Sequence, residues 1–248
     1  MGLLNSQNQE ETINYESNDM KTALVTLHSH RLQYSKQVLD AMDHQCEGLH
    51  HIVGIEDIAG HKEHIYALIE SKMPLYASTT CVFNSGVHHT NNNLRGVLAG
   101  LAHSDFDSFI YLEDDTLPSK GAVEYLMQEY ELHKDIPKFS HVSLSPKQDG
   151  RKPTKANLAK SEINETWAGM WGYMAPIKMA HVLLSITKQF PLPPNESWEG
   201  NVWDQTYTKF FLENGLYAVQ PYIARMQNIG EEGGLHRGGH TWQTWEGL

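Results

Sequence analysis

Phe109-Ile110-Tyr111-Leu112-Glu113-Asp114-Asp115 carries four apolar, strand-forming residues straight into three consecutive carboxylates. Adjacent carboxylates repel one another, and a divalent cation with a polyphosphate partner relieves that repulsion. Their hard oxygens suit magnesium or manganese. The plain alternative is a solvated acidic turn after a strand. The apolar run in front argues against it, because it predicts a buried central strand that delivers its charges to one edge of a sheet. In open α/β sheets the ligand crevice lies at that edge, outside the carboxyl ends of the strands. Thr116-Leu117-Pro118-Ser119 is then expected to turn the chain.

The elements that must position this cluster alternate. Thr22–Leu27 reads as a strand ended by His28-Ser29-His30-Arg31, and Tyr34, Val38, Leu39 and Met42 recur at helical spacing behind it. His51–Ile55 is a second strand ending in Glu56-Asp57, followed by a helix over His61–Ser71. Tyr76–Phe83 is a third strand, with Asn84-Ser85-Gly86 as a turn, and Asn91–Ala102 a helix opened by residues that can cap it. Beyond the central strand come a helix over Gly121–Leu132, a strand at His141–Leu144 and an exposed basic loop over 146–165. Helices over Pro176–Phe190 and Asn201–Glu213 and a short strand at Gly215–Val219 complete the order. Strand and helix in alternation predict an α/β fold, a mostly parallel sheet with right-handed crossovers. Neither GxGxxG nor GxxxxGK[ST] occurs, so the familiar dinucleotide and P-loop cradles are excluded.

Composition narrows the partners. The 248 residues are 40% hydrophobic and 20% charged, enough for a sizeable core, and the net charge of −11 argues against nucleic acid or an anionic membrane. Two cysteines without CxxC spacing, Cys46 and Cys81, exclude a disulfide framework or a zinc ribbon and point to a reducing compartment. No apolar run approaches the roughly 18 residues of a membrane span, and the expectation is a cytoplasmic protein. Gly2 and Ser6 match a myristoylation pattern of the short kind that chance supplies. His88-His89 lacks the spacing of a helical metal site. Residues 1–20 read as a polar, disordered leader and 21–248 as one domain: 21–145 a nucleotide half, 146–248 an acceptor half with a C-terminal lid.

The strand ends at His28–Arg31 and Glu56-Asp57, the helix start Asn91–Arg95, the Glu113-Asp114-Asp115 cluster, the Trp167–Tyr173 aromatic/Gly stretch and Arg225-Met226-Gln227-Asn228-Ile229-Gly230 stand in an order that resembles the GT-A glycosyltransferases. The nearest flavour is the N-acetylglucosaminyltransferase I type and its bacterial relatives. The resemblance covers roughly residues 22–240, and the acidic and Arg-x-x-Asn-Ile-Gly stretches are its specific parts. It implies a GT-A, Rossmann-like mixed sheet flanked by helices, and transfer of a sugar from a nucleotide-sugar, UDP-linked, to a glycan or other hydroxyl acceptor, with inversion and manganese (or magnesium). It implies that Asp115 ligates the metal, Asp114 faces the ribose and Glu113 the donor sugar. Arg31, Asp57, Arg95, Arg225 and Arg237 would bind the nucleotide donor, and His236 would complete the metal shell.

Each of these has a plainer use: Arg31 a surface residue at a strand end, Asp57 a helix N-cap, His236 a solvated tail histidine. Inversion needs a general base beside the acceptor hydroxyl. The family places an acid after a tryptophan, which Trp203-Asp204 matches; Glu199 and Glu196 compete, and Asp204 also fits a first-turn helix carboxylate. Trp167 and Trp171 suit either sugar stacking or core packing. Two other classes stay open. A sugar nucleotidyltransferase would share the acidic site but wants a Gly-rich, basic loop after the first strand, which is missing; a non-catalytic GT-A relative would bind sugar or nucleotide without turnover.

Overall fold

A computed structural model of the protein describes residues 20–57, 60–85, 90–147, 151 and 154–230. The chain runs β1 (Thr22–His28), α1 (Leu32–Met42), β2 (His50–Asp57), α2 (Lys62–Lys72), β3 (Ser78–Ser85), α3 (Thr90–Leu101), β4 (Ser108–Glu113), β5 (Thr116–Pro118) and α4 (Ala122–His133). It continues with β6 (Phe139–Ser143), a one-turn α5 (Lys155–Leu158), β7 (Ser161–Asn164), β8 (Tyr173–Pro176), α6 (Lys178–Ile186), α7 (Trp203–Glu213), β9 (Tyr217–Pro221) and β10 (Met226–Asn228). No helix among the described residues is long and apolar enough to cross a membrane.

Eight strands form the expected mostly parallel, mixed sheet in the order β3-β2-β1-β4-β8-β6-β9-β7. From β3 through β4 the neighbours are parallel, whereas β8 is antiparallel to both β4 and β6. β1 and β4 are buried along nearly their whole length, so both read as continuous apolar runs, as strands covered on two faces do. The pleat sorts their side chains. Ala23, Val25, Phe109 and Tyr111 face α3, α6 and α7, while Leu24, Ile110 and Leu112 face α1 and α4. A third cluster, Val53 and Ile55 with Ile65 and Ile69, seats α2.

Four segments depart from the sequence expectation. Thr116–Pro118 does not simply turn the chain: it pairs antiparallel with Met226–Asn228 in a separate two-stranded sheet. Asn84 and Ser85 continue β3 beside Glu56 and Asp57 instead of turning. The stretch 146–165 contains α5 and the edge strand β7, and Arg151 pairs with Glu162 and stacks 3.8 Å from the Tyr222 ring centroid. The aromatic/Gly stretch ends in β8, inserted between β4 and β6. These strands have three or four residues except β3, too few to show a period; only long-range pairing creates them.

Candidate functional site

The strand order reverses between β1, which leads to β2 and β3, and β4, so the crevice of an open α/β sheet falls at their carboxyl ends. Ser29 and Arg31, between β1 and α1, meet the acidic cluster there. Asp114 Oδ1 accepts from Arg31 Nη2, and Asp114 Oδ2 accepts from Arg31 Nε at 3.3 Å, Ser29 Oγ at 2.9 Å and the Ser29 backbone N–H at 3.3 Å. Both oxygens of Asp114 are thus engaged, Oδ2 by three donors and Oδ1 by one. Arg31 Nη1 donates to Asp115 Oδ2 at 2.9 Å. Asp115 Oδ1 is buried and has no hydrogen-bond partner among the described residues. Over this pair lies the end of the Arg225–Gly230 stretch: Ile229 N–H donates to the Asp115 carbonyl, and a Cβ at Gly230 would stand 2.2 Å from Asp115 Oδ2. Glycine is therefore required at 230 for the backbone to approach that closely. The two most specific sequence stretches thus lie one upon the other.

The carboxylates do not share one environment. Glu113 follows Tyr111 by two residues, so the pleat turns it to the α7 face, where Oε1 accepts from the Tyr111 hydroxyl at 2.8 Å. Burial, then the charge of Asp115, holds its pKa well above the ordinary carboxylate range, and Asp204 adds to the effect. Burial likewise raises Asp115, against the pull of Arg31. Burial disfavours the Arg31 charge, but Asp114 and Asp115 outweigh it and hold the guanidinium firmly protonated. Sequence reasoning passed over Glu56, which belongs to this cluster. Burial and then Asp114 push its pKa up to about 7, with Arg31 opposing. Its only sequence signal was its place at a strand end beside Asp57.

The asparagine run at the start of α3 ties this crevice to the second half of the chain. Asn93 Nδ2 donates to the carbonyls of His28 (3.3 Å), the last residue of β1, and Gly54 (3.2 Å), within β2. Asn92 bonds both backbone groups of Phe190. Asn91, fully buried, donates to the carbonyls of Asn201 (2.7 Å) and Lys188 (3.2 Å) and accepts from Trp203 N–H (3.0 Å), the first amide of α7. Asn91 thereby caps α7 from another element, in place of the missing side-chain cap at Val202. Asp204 follows at once, on a helix fixed by Trp203, Tyr207 and Phe211 in the core, with the Trp203 ring 5.3 Å from Tyr111. Of the three candidate bases, Asp204 is the one whose charge reaches Glu113; Glu196 pairs with Lys188, and Glu199 is exposed. Asn91→Ala leaves one buried amide and two carbonyls without their partner, at about 1–3 kcal/mol each in the worst case. A loss of about 3 kcal/mol is expected, read from denaturant midpoints; a loss under about 1 kcal/mol would remove Asn91 from this role.

Two of the sequence-derived donor residues bond backbone carbonyls elsewhere in the fold. Arg95 Nη1 donates to the carbonyls of Leu184 (2.8 Å) and Thr187 (2.5 Å), closing the carboxyl end of α6. It is a candidate by sequence because the Asn91–Arg95 helix start is one of the features that carry the resemblance. Arg225 stacks 4.6 Å from the Tyr125 ring centroid and donates Nη2 to the Leu158 carbonyl at 2.5 Å, so its guanidinium braces α4 against α5. Backbone groups of Ile229 and Gly230, further along the same stretch, reach the cluster instead. Asp57 stands at the carboxyl end of β2, in register with Ser85. His236, Arg237, Gly2, Ser6 and His88-His89 lie outside the described residues. Among the described residues no group of three or more His, Cys, Asp or Glu forms a metal cage.

No family model and no curated protein matches the chain. Solved structures do. S. aureus TarS 1-349 superposes with a TM-score of 0.53 at 9% identity, covering 84% of this chain and 60% of that one. The same protein in complex with UDP-GlcNAc gives 0.52 at 12% identity, covering 84% and 58%. The chain therefore spans about 60% of the TarS structures it matches. At these identities the likeness is one of fold: the α/β architecture is shared, and nothing finer, including the N-acetylglucosaminyltransferase I type, follows from it.

Proposed function

We propose that the protein transfers a sugar from a nucleotide-activated donor, UDP-linked, to an acceptor hydroxyl with inversion, as a metal-dependent GT-A-type enzyme akin to the N-acetylglucosaminyltransferase I type. The observation that carries this reading is the buried Asp115 Oδ1 left without a partner at the switch-point crevice. One carboxylate oxygen suits a hard divalent cation whose other ligands are donor phosphates and water. Asp115 would hold manganese or magnesium, with His236 as a second ligand. Such an ion supplies neutralisation of the charge that develops on the departing diphosphate. The TarS complex with UDP-GlcNAc, sharing the fold, supports a UDP-sugar as the donor class.

The chain's own residues divide the remaining work. Arg31, held by Asp114, sets fixed positive charge beside the diphosphate. Asp57 at the end of β2 accepts from the base, and Arg237 adds phosphate contacts. Glu113, turned toward α7 and kept protonated by its surroundings, donates to a hydroxyl of the donor sugar. Asp204 takes the acceptor proton as the acceptor oxygen bonds to the anomeric carbon. The bond from that carbon to the diphosphate breaks, and its electron pair leaves with UDP. A single displacement inverts the centre.

UDP, GDP and CMP, each with and without manganese, separate the donor classes by thermal unfolding. UDP at about one hundred times its Kd stabilises a native state by about 2.7 kcal/mol, or about 5–10 °C for a chain of this size. The rise should require manganese and disappear in Asp115→Ala. No rise with any nucleotide in the presence of the metal overturns the reading.

A further inference from the structure

We propose that the outer face of α7 and the loop before β8 form a binding groove for an oligosaccharide, the acceptor of the reaction. Asp204, Gln205, Thr208, Lys209, Leu212 and Glu213 line a cleft of about 500 Å³, with Trp167 as the wall opposite. These six residues repeat at i, i+4 and i+8 with their neighbours, so they form one stripe down the helix, about 14 Å from end to end at 1.5 Å per residue. That is room for more than one sugar ring. The stripe starts at Asp204, next to Trp203, whose ring meets Tyr111 at 5.3 Å, and the Tyr111 hydroxyl donates to Glu113 at 2.8 Å, so its upper end lies on the α7 side of the crevice that the donor sugar would occupy.

The chemistry of the walls selects the ligand. An indole and the exposed Leu212 offer apolar surface to the C–H face of a pyranose. An amide, a hydroxyl, an ammonium and two carboxylates offer both donors and acceptors to sugar hydroxyls, with no excess of positive charge that would favour a phosphate or a nucleic acid. A neutral or weakly charged glycan satisfies both kinds of surface.

One buried chain of hydrogen bonds joins the two walls. Tyr207, on the inner face of α7, bonds Ser140 Oγ at 2.6 Å, and Ser140 Oγ bonds His141 Nδ1 at 2.5 Å; His141 Nε2 meets the carbonyl of Ala168, the residue after Trp167. His141 is neutral in this buried setting, so it donates from Nε2 and accepts at Nδ1, and the chain runs in one direction from Tyr207 to Ala168. Trp171 meets Trp167 edge to face at 6.2 Å, and its carbonyl accepts from Ser145 Oγ. A site with walls fixed before the ligand arrives loses little on binding.

As an acceptor site the groove rests on the transferase reading; as a saccharide site it does not. Retention on immobilised chito-, cello-, malto- and lacto-series tetrasaccharides tests it, with UDP affinity measured on the same samples. At least one series should be retained, and Trp167→Ala and Thr208→Arg should each weaken that retention at least tenfold while leaving UDP affinity unchanged. Thr208→Arg fills the groove from the solvent face of α7, so it keeps the test decisive if Trp167→Ala misfolds. Retention of none of the four series, or equal retention by Thr208→Arg, overturns the groove. Glycan retention lost in the variants, in a protein that binds no nucleotide, would uphold the groove and sink the donor reading alone.

Discussion

Asp204→Asn is expected to lower kcat by about 10²–10⁴-fold, the usual worth of a positioned general base, with UDP affinity unchanged. The substitution keeps the shape, and the Asn carbonyl oxygen can still accept from Gln205 N–H, which Asp204 Oδ1 does at 2.8 Å. What it removes is the group that takes the acceptor proton, together with a negative charge that bears on Glu113. The controls are built into the same region. Glu196→Gln should cost only an exposed ion pair with Lys188, and Glu199→Gln should change little. Steady-state transfer rates decide the matter: an Asp204→Asn enzyme within about threefold of wild type would move the base elsewhere, and a collapse in Glu199→Gln would say where.

The second large effect is on stability against pH. His28, His51 and His141 are fully buried, and burial lowers their pKa values to about 3, about 3 and about 4. His28 and His51 share the Thr26 hydroxyl, at 2.9 and 2.8 Å, and the Nδ1 of each has no partner among the described residues, so neither can accommodate a charge cheaply. A lowered pKa means that the unfolded chain takes up the proton first. The stability these groups contribute is therefore complete above about pH 6.5 and is lost as the pH falls toward their folded values. At pH 4 each is worth about 3 kcal/mol, a large part of an ordinary domain's 5–15 kcal/mol.

Glu56 works in the opposite sense. Its pKa is raised to about 7, so its contribution is complete below the unfolded value and fades as the pH rises through 7. It is worth about 3 kcal/mol at most, less for the solvent that reaches it. Glu113, raised to about 8, acts in the same sense over a range that reaches further up, so stability of the free protein should peak between about pH 6 and 7, fall steeply below pH 5 and more gently above pH 7. Denaturant midpoints from pH 4 to 9 test the profile, and Glu56→Gln should steepen the net rise between about pH 4.5 and 7 while leaving the decline above pH 7, which belongs to Glu113. Equal stability at pH 4 and pH 7 would remove the buried histidines as its cause.

Much of this was open to reading in the chain itself, because the features concerned are local. An apolar run such as Phe109–Leu112 has to be buried, and carboxylates at its end have to emerge at a sheet edge; alternation of strand and helix then leaves few architectures. Most of β1, β2, α3 and α7 was legible for the same reason, since seven to twelve residues are enough to show an apolar run or a period. What tertiary structure decided was everything that depends on two distant segments meeting. Thr116–Pro118 becomes a strand only because Met226–Asn228 arrives to pair with it. Arg95 and Arg225 read from the sequence as donor-binding residues, and only the fold shows each donating to a carbonyl far along the chain, those of Thr187 and Leu158. Glu113, Asp114 and Asp115 are chemically near-equal in sequence, yet the pleat turns one toward α7 while Arg31 and Ser29 engage both oxygens of the second and leave the third an open oxygen. Residue type sets which chemistry a side chain can do; only its neighbours in space determine which of those uses is still free.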